Sequence, residues 1–277
     1  MFSENKGSIE NLRVDVDAYI RAYSGIICSI NTGKIADIEL SGTIECTSSS
    51  AGGNWLGGIC YNNKGEIVKV CNYAEIKGYN STSTGNYIGG ICSQNHGIVQ
   101  QCKNEGKIWN ANNAIGGIVG LNYQTVKECA NKGRIDANVS ASYHLGGIAG
   151  RNNGEIYNCY NLGSITGQLV KGGIVGPSDG NIKNCYSIAD ITTEYQAGGI
   201  VSTNSGKVTN CWYVKKGNYD IQLSTSTGTV ESSGEKTEAE MKDNAFLDVL
   251  NAGNDEITWK LDRRKNNGYP YLAWEDE

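Results

Sequence analysis

The stretch that decides the fold is Asn152-Asn153-Gly154-Glu155-Ile156-Tyr157-Asn158-Cys159-Tyr160-Asn161-Leu162-Gly163-Ser164-Ile165. Its pattern is Asn, Gly and Ile at alternate positions, two polar residues, then Cys, Asn, Gly and Ile alternating again. The same order returns along the chain, each copy preceded by a Gly pair. Those pairs sit in Leu56-Gly57-Gly58-Ile59-Cys60, Ile88-Gly89-Gly90-Ile91-Cys92 and Ile115-Gly116-Gly117-Ile118-Val119, and again at Gly146-Gly147, Gly172-Gly173 and Gly198-Gly199. Gly25-Ile26-Ile27-Cys28 is a seventh, worn copy.

Stacked, the copies give apolar columns. Ile27, Ile59, Ile91, Ile118, Ile148, Ile174 and Ile200 form one. Ile35, Ile67, Val99, Val126, Ile156, Ile182 and Val208 form the second, and Ile38, Val70, Cys102, Cys129, Cys159, Cys185 and Cys211 the third. A fourth holds Ile44, Ile76, Ile108, Ile135, Ile165 and Ile191. From Cys159 to Ile165 the period is two, so Cys, Asn, Gly and Ile share one face of a strand and Tyr160, Leu162 and Ser164 the other. The Gly pairs and Asn-x-Gly steps supply turns. Ile59 and Cys60 are adjacent and both columnar, which simple alternation cannot satisfy; a bulge at the Gly pair would turn both inward.

Cys102 to Cys211 spans 109 residues in four steps, about 27 per repeat. That is shorter than the roughly 40–45 residues of a propeller blade, and no helical period runs through the repeat. The spacing predicts an all-β, right-handed parallel β-solenoid (β-helix) with three short strands per turn, because parallel crossovers are overwhelmingly right-handed and each rung buries its apolar side only by stacking. Residues 1–217 hold about seven rungs plus a partial N-terminal rung marked by Gly7, Ile9 and Leu12. Residues 218–277 are expected to be a small α+β cap over the last rung. Thr237 with Glu240 forms a capping box before one helix over 238–251. Trp259 and Leu261 suggest a strand, Asn266-Asn267-Gly268 a turn, and Tyr269-Pro270-Tyr271-Leu272 with Trp274 an aromatic lid.

Composition excludes several classes. The 277 residues include 37 Gly, 16 Tyr and 10 Cys but only 2 Phe, 2 Met and 2 Pro, unlike a helical bundle or a linker. A net charge of −5, with no basic run longer than Arg263-Arg264-Lys265, offers no footprint for nucleic acid. No apolar run approaches the roughly 18 residues of a membrane span, so no membrane insertion is expected. Residues 1–20 lack a signal-peptide layout, so a secreted parent would make this chain an excised piece.

The Gly-Gly-Ile-Val-Gly-x-Asn-x-Gly-x-Ile core resembles the GLUG-motif repeats of bacterial surface proteins, including the repeat region beside some immunoglobulin A peptidases. The resemblance covers about residues 5–217, and Asn267-Gly268-Tyr269-Pro270-Tyr271-Leu272 is similar to the tail that often follows such repeats. It implies an extracellular, cell-surface module of a Gram-positive bacterium or gut anaerobe. It carries over no peptidase activity, since no metallopeptidase motif is present.

Eight cysteines occupy columns that Ile, Val or Ala fill elsewhere, so they read as small buried hydrophobes that stay reduced, not as metal ligands. Cys46 and Cys71 fall outside the columns and read as surface thiols or a chance bridge. No Cys-x-x-Cys exists and His96 and His144 lie in different rungs, so neither metal nor cofactor is expected. Asn72, Asn104, Asn131 and Asn161, a column shared by Leu40, read as an amide ladder, and Asn31, Asn63, Asn95, Asn122, Asn152 and Asn204 as turn residues. Glu75, Lys107, Arg134, Ser164, Asp190 and Lys216 form an outward row of mixed sign, as expected of a solvated face, and no catalytic residue is assigned.

Length variation gathers at one corner. From the fourth-column Ile to the next rung's second Gly, the chain takes 14 residues after Ile44 and Ile76 but 9, 12, 8 and 8 after the next four. The neighbouring long loops carry Asn54, Trp55, Tyr79, Asn80 and Tyr87, with Trp109 on the next. Insertions on one side of a solenoid often mark its binding face. These six residues are the candidate ligand-binding set, the partner being a glycan or a host or bacterial surface protein. The expectation is a monomeric, non-enzymatic spacer or adhesin fragment; the alternative is a polysaccharide lyase or hydrolase, which would need carboxylates converging on one outer face.

Overall fold

The computed structural model describes residues 2–21, 23–48, 55–79, 86–109, 114–137, 144–167, 170–192, 197–216, 225–254 and 256–277. It is a parallel β-solenoid. One complete turn consists of the strands Ala114–Gly116, Val119–Asn122, Thr125–Lys127, Ala130–Asn131 and Ile135–Ala137. Five short strands per turn therefore replace the expected three, because two corners interrupt what reads as continuous alternation. Equivalent strands pair in register, Ile108 beside Ile135 beside Ile165, and stack into sheets of 9, 20 and 6 strands.

The corners explain why the columns face inward. The residue before the Cys column adopts left-handed backbone in rung after rung: φ is 53° at Asp37, 50° at Lys69, 52° at Gln101, 51° at Glu128, 53° at Asn158, 51° at Asn184 and 52° at Asn210. In a straight strand, positions three apart would point to opposite faces; the left-handed residue turns the chain so that Val99 and Cys102 both enter the core. Asn and Asp tolerate this region best among residues with a side chain, and they hold four of these seven positions. Ile59 and Cys60 are likewise both fully buried. Their N–H groups donate to the same carbonyl, Ile91 O, at 2.8 and 3.4 Å, which marks a corner between two sheets and not a bulge within one.

The Asn72 column is an amide ladder: Asn72 donates to Asn104 at 2.8 Å, Asn104 to Asn131 at 2.9 Å and Asn131 to Asn161 at 2.8 Å, all fully buried. A second ladder runs where turn residues alone were expected. Asn5, Asn31, Asn63, Asn95, Asn122 and Asn152 donate in series at 2.8–2.9 Å, and Asn152 ends on Ser178 Oγ at 3.1 Å. Most of these amides also serve their own turn, Asn95 giving one N–H to Gly97 O and accepting Gly97 N–H.

None of the ten cysteines is in a disulfide, and nine are buried. Cys46 is not a surface thiol: it belongs to the central apolar cluster. Cys71, on the outer face, is half-buried. The five thiols of the third column donate to the carbonyl two residues back, Cys159 Sγ to Tyr157 O at 3.3 Å, and burial pushes Cys60, Cys102 and Cys159 well above the usual thiol range. A thiol reagent added to the native protein is expected to modify Cys71 alone at an appreciable rate, and all ten after denaturation. Mass spectrometry showing columnar cysteines that resist alkylation even when unfolded would overturn the reduced-core reading.

The C-terminal segment differs most from expectation. Pairing continues beyond residue 217, since Thr225–Ser226, Thr229–Glu231 and Gly234–Glu235 extend the sheets by one more rung. Val230, the last member of the second column, is 38% exposed, so the end of the stack is not plugged. The single helix is two, α1 (Glu238–Met241) and α2 (Asn244–Asn251). The Thr237/Glu240 capping box is present, but Asp243 stops the first helix and caps the second by accepting Ala245 N–H at 2.9 Å. The tail then runs back along the outside of the shaft. Met241, Phe246, Leu250, Trp259, Tyr269 and Leu272 pack on the outward Tyr160 and Tyr186, whose rings stack at 5.2 Å. Trp259–Lys260 pairs with Tyr271–Leu272 as a small antiparallel ribbon. Asn266, Asn267 and Gly268 form the turn, all with positive φ. Glu275 accepts from Tyr160 Oη at 2.6 Å and pairs with Lys132 at 2.8 Å; Glu277 reaches Lys69. The tail is a lateral brace, not a lid. Among the described residues no helix is long and apolar enough to cross a membrane.

Candidate binding corner

The aromatic residues of the long-loop corner separate into two groups. Trp55 and Tyr87 begin equivalent strands, Trp55–Gly57 and Tyr87–Gly89, and face each other across the rung at 4.5 Å with ring planes tilted by 41°. Two rings that the repeat analysis did not single out join them. Tyr23 stacks on Trp55 at 6.1 Å, and Tyr61 packs edge-on against both, 5.2 Å from Tyr23 and 5.9 Å from Trp55. The signal for Tyr61 was legible, since its column otherwise holds Ser93, Gly120, Gly150, Gly176 and Ser202. Tyr23 carries a left-handed backbone, φ 62°, a strained state for a bulky side chain. Trp55, Tyr61 and Tyr87 are half-buried, and burial raises the phenols of Tyr61 and Tyr87 above their ordinary range.

Trp109 lies on the strand that leaves the shaft for the loop, apart from this cluster. Lys107 Nζ stands 4.6 Å and Lys77 Nζ 5.2 Å from its ring centre, and Lys77 also holds Glu45 at 2.7 Å. Tyr79 is 40% exposed. Asn54 and Asn80 lie outside the described residues. The structure thus brings Trp55 and Tyr87 together and leaves Trp109 with two ammonium groups competing for its faces.

A second pair of rings is exposed. His96 stacks on Tyr123 at 4.4 Å in the turn row of the nine-stranded sheet. His144 occupies the row of Tyr87, with Ala114 between them. Burial lowers both imidazoles below their ordinary value, helped by Lys64 at His96 and by Arg151 at His144. Some carboxylates on the outer rows are paired with cations, as in Arg134 with Asp136 at 2.9 Å and Arg13 with Glu39 at 2.9 Å. Among the described residues no group of three acidic, Cys or His side chains is placed to hold a metal.

Fold and corner together define a solenoid shaft with an aromatic flank. A family model described as the GLUG motif matches residues 141–166, within the repeat from which the columns were read. Among solved structures, the chain is similar to the crystal structure of a "putative immunoglobulin A1 protease" from Bacteroides ovatus, with 21% identity and a TM-score of 0.58 over 95% of this chain and 87% of that one. That likeness is one of fold. The curated proteins contain no match.

Proposed function

We propose that this chain is a non-enzymatic extracellular module of a bacterial surface protein, a rigid spacer whose aromatic corner holds a glycan weakly. The observation that carries the reading is the Tyr23, Trp55, Tyr61 and Tyr87 cluster, half-exposed beside the longest insertions of an otherwise regular shaft. Sugars present apolar ring faces that stack on such rings. The GLUG repeat and the neighbouring fold support the extracellular assignment. Asp136 held by Arg134 and Glu45 held by Lys77 support a solvated face there over a lyase or hydrolase cleft, which requires carboxylates free to act.

A small aromatic surface of this kind is expected to bind with a dissociation constant of about 10⁻⁴ M, equivalent to roughly 5.5 kcal/mol. A glycan array followed by titration tests it. Trp55→Ala and Tyr87→Ala are each expected to weaken binding at least about tenfold with an unchanged circular dichroism spectrum, because neither residue belongs to the inner columns. Binding that survives both substitutions would remove the corner from the argument, and release of reducing ends from the bound glycan would favour the enzyme alternative.

A further inference from the structure

The first rung leaves both a strand edge and a core end uncovered. Its strand Ser8–Arg21 pairs in parallel with Lys34–Ser48 on one side, and among the described residues no strand pairs with it on the other. Beyond the left-handed corner at Asn11 the strand alternates strictly: Val14, Val16, Ala18 and Ile20 are half-buried, while Arg13, Asp15, Asp17, Tyr19 and Arg21 are exposed. Ile9, Val14, Val16 and Ile20 pack on the central apolar cluster, so what they leave half open is the end of the core itself. Phe2 and Tyr19 of the same rung are 61% and 77% exposed. The charges of the rung divide in two. Glu4 pairs with Lys6 at 3.3 Å, Glu10 with Lys34 at 3.0 Å and Arg13 with Glu39 at 2.9 Å. Asp15, which accepts Ser41 Oγ at 2.8 Å, Asp17 and Arg21 enter no ion pair with a described residue.

We infer that this edge docks a second copy of the chain, residues 15–21 pairing antiparallel with themselves about a two-fold axis at Ala18. Directly opposed residues of an antiparallel pair lie on one face of the sheet, so apolar meets apolar only in registers centred on a residue. Centred on Ala18, Asp15 faces the partner's Arg21, Asp17 faces the partner's Tyr19, whose phenol offers it a donor, and Val16 faces the partner's Ile20. Centred on Val16, Asp15 would face the partner's Asp17; centred on Asp17, that carboxylate would face its own copy and Arg13 the partner's Arg21. The Ala18 register therefore gives the three unpaired charges their partners. It also sets one core end against the other, taking from water the apolar side chains that stacking leaves uncovered. Head-to-tail stacking on the last rung fits less well: with Val230 in the column of Ile9, Glu231 would stand beside Glu10. The two-fold contact closes at two copies, whereas the head-to-tail contact would run on without limit.

A contact this short is small, so the dimer is expected to be weak, with a dissociation constant on the order of 10⁻⁵ M. Sedimentation velocity over roughly 1–300 µM brackets that value and should show the mass rising from one chain towards two. Asp15→Arg and Arg21→Asp should each weaken the dimer at least about tenfold, because like charges then oppose each other across the axis. Mixed in equal amounts, the two variants should associate as tightly as the wild type, since each supplies the charge that the other lacks. The double variant Asp15→Arg/Arg21→Asp should do so alone. Neither recovery can come from a misfolded chain. A protein that stays monomeric over the whole range overturns the inference. A dimer indifferent to both substitutions overturns it as well and moves the contact to another face, and assemblies that grow past two copies replace it with the head-to-tail stack.

Discussion

Trp259→Ala is expected to release the C-terminal brace while leaving the rungs folded. Trp259 is fully buried between Tyr160 at 6.0 Å and Tyr186 at 5.6 Å, at the centre of the cluster that joins tail to shaft. Truncating a buried Trp costs about 3–5 kcal/mol through lost transfer energy and the cavity left behind. Without the tail's apolar residues, the polar ties of Glu275 to Tyr160 and Lys132 lie in water, where such pairs contribute little. The shaft does not share this dependence, because each rung is held by its neighbours and the stability of a stack is nearly a sum of local terms. Limited proteolysis should therefore cut the variant after about residue 236 and leave a resistant core, with the columnar thiols as protected as before. Simultaneous loss of tail and thiol protection would show brace and shaft to be one cooperative unit. Exposed Tyr160 and Tyr186 should also make the clipped protein self-associate.

The inner architecture was legible because every rung places the same residue type under the same constraint, so seven imperfect copies average out local noise. Ile59 and its column needed no structure to be recognised as core. The left-handed corner was not legible: Asp37, Lys69, Gln101 and Glu128 share no chemistry, since a side chain there points outward and the backbone asks only for tolerance. The second amide ladder was hidden for a different reason. A turn already accounts for Asn95, and only the stacking reveals that its remaining N–H reaches Asn122 at 2.9 Å. The brace could not be read because Tyr160 and Tyr186 look like the outward half of an alternating strand, and the segment that covers them lies more than fifty residues downstream. At the corner, the insertions pointed to Trp55 and Tyr87, but loop length places residues only near one another. It could not tell that Trp109 stands with Lys77 and Lys107 and not with the Trp55/Tyr87 pair.

Gly117→Ala is expected to be among the most damaging single substitutions in the shaft. A Cβ at Gly117 would stand 2.3 Å from Asn131 Cγ and 2.3 Å from Gly147 O, distances no carbon tolerates. One contact is with the amide ladder and the other with the backbone of the next rung, so relief in either direction breaks something buried. The overpacking should cost about 3 kcal/mol or more. Asn131→Ala tests the same place from the other side: it removes the acceptor of Asn104, at 2.9 Å, and the donor to Asn161 and Gly133, leaving polar groups buried without partners at about 1–3 kcal/mol each. If the Gly column is small because the ladder occupies its Cβ space, the two effects must interact. The double variant, in which one of the two clashes is gone, should then be less destabilised than the sum of the singles by at least about 1 kcal/mol in a denaturant cycle. Strict additivity would mean that the glycine is demanded by the Gly147 carbonyl alone and that the ladder merely fills a space the backbone had already set.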